Sequence, residues 1–283
     1  MSGSLRTVLL VLAFLAQSGA ALAAGPVSTP KLAERVIAGS TTTFADLVRL
    51  VVPGLTIRDG TASGERVIAV RDIDAAGPPD EAGPTPAVLS RLEAVPVRSG
   101  GRERVALLMD FGAGEVTPGF VVLALFAIDG APRLLDAANV GLDRDTSFLD
   151  PGRLRVGAGD DMLLTRSSHF NAGQNYSLAA LILVRDDRLE LVDTILAFSD
   201  MACSYARTQT LDVRQGEGTP FADVVVSVTE ETTTSGQDCE EAATPEPGNR
   251  TIAATYRWVA GSHRYRPDTD ALRILARETE ERF

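Results

Sequence analysis

The chain has little of what most catalytic sites are built from: 283 residues contain only 2 histidines, 2 cysteines and 1 tryptophan, and Lys31 is the sole lysine. Two histidines cannot furnish a multi-histidine zinc site, and Cys203 and Cys239 lack the short spacing of zinc or redox pairs. With its one lysine near the N-terminus the chain offers no Ser-Lys pair on a core, and no G-x-S-x-G nucleophile elbow occurs. Asp110-Phe111-Gly112 spells the kinase metal-binding triplet, but the glycine-rich loop, strand lysine and H-R-D loop that would give it meaning are missing. No cofactor is expected.

Long apolar runs are equally scarce. The one candidate follows Arg6, from Val8 through Ala16, and at about 10 residues it is half of the roughly 20 that a spanning helix needs. Small residues come next, and Ala21-Leu22-Ala23 sets alanine at the two positions signal peptidase reads before a cut at Ala24. Residues 1–23 therefore read as a signal peptide, with no transmembrane segment in the mature chain. The 27 basic residues, all but one of them arginine, suggest a GC-rich bacterial genome, so the expected destination is periplasmic or secreted.

Positive charge is the minority: 38 Asp and Glu stand against 27 Lys and Arg, and loss of Arg6 takes the net charge from −11 to −12. Nucleic acid is disfavoured because its phosphates would be repelled, whereas an envelope partner or ligand of basic character is permitted. In an oxidising compartment Cys203 and Cys239 are expected to form a disulfide, worth up to about 4 kcal/mol by chain-entropy reasoning.

The remaining pattern is mostly β. Residues 24–87 comprise a leader, an amphipathic helix and a Pro/Gly-rich loop. In the helix Thr43 caps, Phe44, Leu47, Val48 and Val51 share a face, and Pro53-Gly54 stops the run. Residues 88–283 form the main domain, an antiparallel meander of short apolar or alternating runs, sandwich-like or partial-propeller-like, closed by a C-terminal helix from Asp268. FVVLALFAI and LAALILV are apolar on both faces and should be central strands covered on both sides. Asp129-Gly130 and Asp186-Asp187 are predicted hairpin turns, the first by the stronger signal.

The segment LALFAIDGAPRLLDA at 123–137 is similar to ALILVRDDRLELVDT at 180–194, at a separation slightly beyond the propeller-blade period of roughly 40 to 50 residues. Together with Gly159-Asp160-Asp161-Met162-Leu163-Leu164, this resembles FG-GAP-type blades over less than half the chain. The resemblance implies a partial-propeller architecture and no activity.

Two polar stretches are candidate sites. Asp143, Asp145 and Asp150 offer hard oxygens with the opening spacing of a calcium loop, although Phe148 stands where its sharp-turn glycine belongs. The segment SSHFNAGQNY, 167–176, has the composition of a binding loop on a β scaffold, with Ser168, His169, Asn171, Gln174, Asn175 and Tyr176 as candidate contacts. The chain therefore reads as an exported, soluble, non-catalytic binding or envelope-associated protein. The alternative is a periplasmic hydrolase using a carboxylate pair, whose signature is a separation in space. Sequence sets neither ligand nor oligomeric state.

Overall fold

A computed structural model describes residues 27–75, 82–113, 118–235 and 244–282. The proposed signal peptide, Cys239 and Phe283 lie outside them.

The first helix, α1 (Phe44–Val51), forms as its sequence requires. The Thr43 hydroxyl accepts from the Asp46 backbone N–H while the Asp46 carboxylate accepts from the Thr43 N–H at 2.9 Å, a reciprocal capping box. Phe44, Leu47, Val48 and Val51 are buried. Four residues past the C-cap Val52 the small N-terminal sheet begins, with β1 (Thr56–Arg58), β2 (Thr61–Gly64) and β4 (Ala87–Leu89) in that order.

Two larger sheets follow. β5 (Arg91–Ser99), β6 (Arg102–Ala113), β7 (Gly119–Ala127) and β8 (Arg133–Asn139) form an antiparallel meander whose outer edge takes β3 (Arg71–Asp72) in parallel. The second meander has eight strands in chain order: β9 (Asp145–Arg155), β10 (Asp161–Asn171), β11 (Gln174–Arg185), β12 (Arg188–Met201), β13 (Tyr205–Gln215), β14 (Val224–Thr234), β15 (Gly248–Val259) and β16 (Arg264–Pro267). The C-terminal helix α2 (Ala271–Glu280) ends the fold.

Strand periodicity explains the layering, because successive side chains point to opposite faces. Val105, Leu107 and Met109 of β6 join α1 in one core, whereas Ala106 and Leu108 face the eight-stranded sheet. On β11, Ala180, Ile182 and Val184 meet the five-stranded sheet while Leu181 and Leu183 enter a third core beneath α2. Both runs predicted to be central are covered on both sides, so the sheets stack as a sandwich.

The eight-stranded sheet is nearly split. β12 and β13 share only the pairs Asp200↔Arg207 and Met201↔Ala206, and beyond that corner β13–β16 fold back over β9–β12. The Ala222 N–H donating to the Val156 carbonyl at 2.6 Å fastens the returning part to the first.

Turn chemistry departs from expectation at one place. Asp186-Asp187 forms the two-residue turn with φ of 52° and 59°, a primed geometry that matches strand twist. Asp129-Gly130 instead sits in a longer connection between β7 and β8, where Pro132 follows. The internal similarity is also real in structure. Each copy is a hairpin with a register shift on its second strand, and in each an aspartate, Asp136 or Asp193, stands just beyond that shift. The two hairpins belong to different stacked sheets, so no blades are arranged radially.

Candidate functional site

The β10–β11 hairpin is the element that carries the predicted polar segment. The composition of 167–176 predicts a loop; the structure makes it two paired strands joined by a two-residue turn at Ala172-Gly173, with Asn171 opposite Gln174 and His169 opposite Tyr176. Apolar alternation fades there because the strands outrun their core and both faces become accessible.

The tip is braced from one side. The buried Ser167 hydroxyl bonds the Thr146 hydroxyl at 2.8 Å and accepts from the Leu142 N–H at 3.2 Å. The Gly119 N–H donates to the Asp143 carbonyl at 2.9 Å, and Gly141 packs so closely that a Cβ there would collide with the Gly119 carbonyl oxygen. This fastened turn presents the Asp143 carboxylate to His169 Nδ1 at 2.5 Å. A carboxylate oxygen accepts, so Nδ1 is the donor of this bond. The His169 ring stacks on Tyr176 with centroids 4.5 Å apart and 12° between planes. Tyr176 rests in turn on the buried Phe198 at 4.7 Å and donates its hydroxyl to Gln174 Oε1 at 3.0 Å. His169, Tyr176 and Gln174 therefore form one preorganised column.

The other face of the hairpin is open. Phe170 is 69% exposed, and Met201, whose N–H donates to the Gly173 carbonyl, is 63% exposed. Asn171 and Asn175 are exposed and Ser168 is half-buried. Exposed Phe170 and Met201 carried no signal in the sequence beyond their position beside polar residues.

The aspartates proposed for calcium are not assembled. Asp143 is taken by His169, Asp145 opens β9 opposite Ser168, and Asp150 lies farther along the same strand before Pro151. Among the described residues no group of three or more His, Cys, Asp or Glu is placed to hold a metal. From Asp145 on the acidic stretch is an edge strand, not a loop, and proline is tolerated in it because edge positions need not donate to a ladder.

Carboxylates elsewhere serve arginines. The fully buried Asp161 accepts from the Arg98 N–H at 3.0 Å and pairs with Arg153 at 2.6 Å. Asp187 is held below the usual carboxylate range by its hydrogen bond to Arg104, and Asp46 by the Thr43 N–H. A general acid for glycoside hydrolysis requires a shift in the opposite direction. Cys203, in the turn after β12, is not a free thiol; its expected partner Cys239 is outside the described residues. No described helix is long and apolar enough to cross a membrane. Compared with known proteins, the chain matches no family model, no curated protein and no solved structure.

Proposed function

We propose that this is an exported, non-catalytic binding protein whose recognition element is the β10–β11 hairpin tip. The observation that supports it is a strand pair fixed by the Asp143–His169–Tyr176–Phe198 column that extends past its own core and there exposes Phe170 between amide side chains. A rigid tip spends little entropy on ordering when it binds, and an aromatic ring beside amides combines contact area with adaptable hydrogen bonding. The partner is an envelope component, and the acidic surface favours one of basic character. The mature chain begins at Ala24, and a Cys203–Cys239 bridge ties the acidic segment 231–248 to the corner after β12.

The test starts from protein purified out of the periplasm of an expressing bacterium. Intact mass is expected to show loss of residues 1–23 and of two thiol hydrogens. Immobilised protein should then capture an envelope component that the Phe170→Ala/Asn175→Ala variant loses at least about fivefold, equivalent to roughly 1 kcal/mol. Both substitutions fall on exposed side chains, so the fold should persist by circular dichroism. Equal capture by folded variant and parent would overturn the hairpin reading. Turnover of glycoside, ester or peptide substrates that disappears with a single carboxylate would instead establish the hydrolase.

A further inference from the structure

The chain is acidic, yet one groove reverses that charge. Arg71, Arg185, Arg188, Arg264 and Arg266 line a cavity of about 750 Å³ between the end of β3, the β11–β12 hairpin and the β15–β16 turn. Among the described residues its only lining acids are Asp74 and Glu190, so five arginines against two acids leave a local balance of +3, where the whole chain carries −11.

The arginines divide into two kinds. Arg71 and Arg185 build the wall. The Arg71 guanidinium donates to Asp136 at 3.0 Å and to the Leu189 carbonyl at 2.6 Å, bridging the two large sheets. Arg185 holds Glu190 through one nitrogen at 3.0 and 3.1 Å, donates to the His263 carbonyl at 3.0 Å and lies 5.1 Å over the Trp258 ring. These bonds satisfy Glu190, which therefore neutralises little of the remaining charge. Arg188, Arg264 and Arg266 are exposed and form no salt bridge among the described residues, although carboxylates outnumber cations in the chain. Arg264 and Arg266 share one face of β16 because Tyr265 between them turns into the core. Three mutually repelling cations on one concave wall match a ligand that brings the missing negative charge, and guanidinium forks fit the paired oxygens of phosphate and carboxylate.

We propose that this groove binds a small polyanion carrying two or more phosphate or carboxylate groups. The site is remote in sequence and in strand ends from the hairpin tip, and failure of the envelope-capture reading would leave it standing.

Titration calorimetry of the mature protein with inositol hexakisphosphate, pyrophosphate and citrate, at about 20 mM and 150 mM salt, tests it and separates phosphate from carboxylate. At least one probe is expected to bind, more weakly at the higher salt. The Arg188→Ser/Arg264→Ser/Arg266→Ser variant should lose at least tenfold in affinity. An equally charged control, Arg58→Ser/Arg133→Ser/Arg273→Ser, whose residues lie outside the groove lining, should lose less than threefold. If the groove variant does not fold, the single Arg188→Ser and Arg264→Ser variants replace it, each expected to lose at least threefold. Absence of binding to all three probes, or equal losses in groove and control variants, would overturn the assignment.

Discussion

At the scale of single residues, buried charge is organised around arginine, and Glu230 on β14 is the clearest instance. Its Oε2 accepts from Gln209 Nε2 and from Arg282, each at 2.8 Å, while Oε1 accepts from Arg250 at 2.9 Å. Burial alone would push this carboxyl up, but the Arg282, Gln209 and Arg250 donors outweigh it and hold the pKa at about 2. A depressed carboxylate pKa contributes stability that is present above the unfolded value and lost as pH falls through the folded one. The window here runs from about 4.5 down to about 2. The contribution is at most about 3 kcal/mol, taking 1.36 kcal/mol per unit. Because Arg282 follows α2, the same carboxylate clasps the C-terminal helix to the sheet. Glu230→Gln should therefore lower the thermal midpoint at pH 7 and flatten the acid dependence between pH 4.5 and 2 relative to the parent. Parallel melting curves across that range would show that the carboxylate contributes nothing specific.

At the scale of elements, the legible parts were those whose alternation or capping survives to a buried face. The α1 box, β6, β7 and β11 announce themselves because the core demands apolar residues at fixed periods. β9 gives no strand signal because it is an edge strand with a proline and an exposed acidic start. The hairpin tip reads as a loop because no core constrains its composition. Pairings between residues far apart, Asp143 with His169 or Arg71 with Asp136, have no local signature at all. Asp187 was legible only in half its role. It takes a positive φ in its turn, and it also forms a two-pronged pair with Arg104 at 2.8 and 3.0 Å, whose side chain is 1% exposed. Asp187→Asn keeps the turn conformation, since asparagine tolerates positive φ, but leaves the buried guanidinium, which also donates to the Glu103 carbonyl at 3.1 Å, with Asp129 at 3.4 Å as its one carboxylate among the described residues. Denaturant unfolding should show a loss of about 2 kcal/mol. Asp186→Asn, in the same turn with an 82% exposed side chain, should stay within about 0.5 kcal/mol. Equal effects at the two positions would mean that the turn, not the ion pair, sets the cost.

At the scale of the whole molecule, the question is whether β9–β12 and β13–β16 fold as one unit despite their two shared residue pairs. Backbone pairing argues for separation, while burial argues for unity. Met162, Leu164, Leu181 and Leu183 from the first part and Val224, Val226, Val228 and Tyr256 from the second occupy one core, and the Tyr256 hydroxyl donates to Asp193 across it at 2.7 Å. Neither part can keep its inner face dry alone, so burial decides. Leu183 is 1% exposed and Val226 fully buried. Leu183→Ala should cost about 2 to 5 kcal/mol, and Val226→Ala somewhat less for its smaller cavity. Trp258, the sole tryptophan, sits on β15 against Phe221 at 4.2 Å with Arg185 of β11 5.1 Å over its ring, so its fluorescence reads the second part and its contact with the first, whereas far-UV circular dichroism reads every strand. Leu183→Ala, although it lies in the first part, is therefore expected to shift the Trp258 fluorescence transition and the dichroism transition together. A fluorescence midpoint that stays at the parent value while dichroism moves would show that β13–β16 fold independently and that their contact with β9–β12 is only docking.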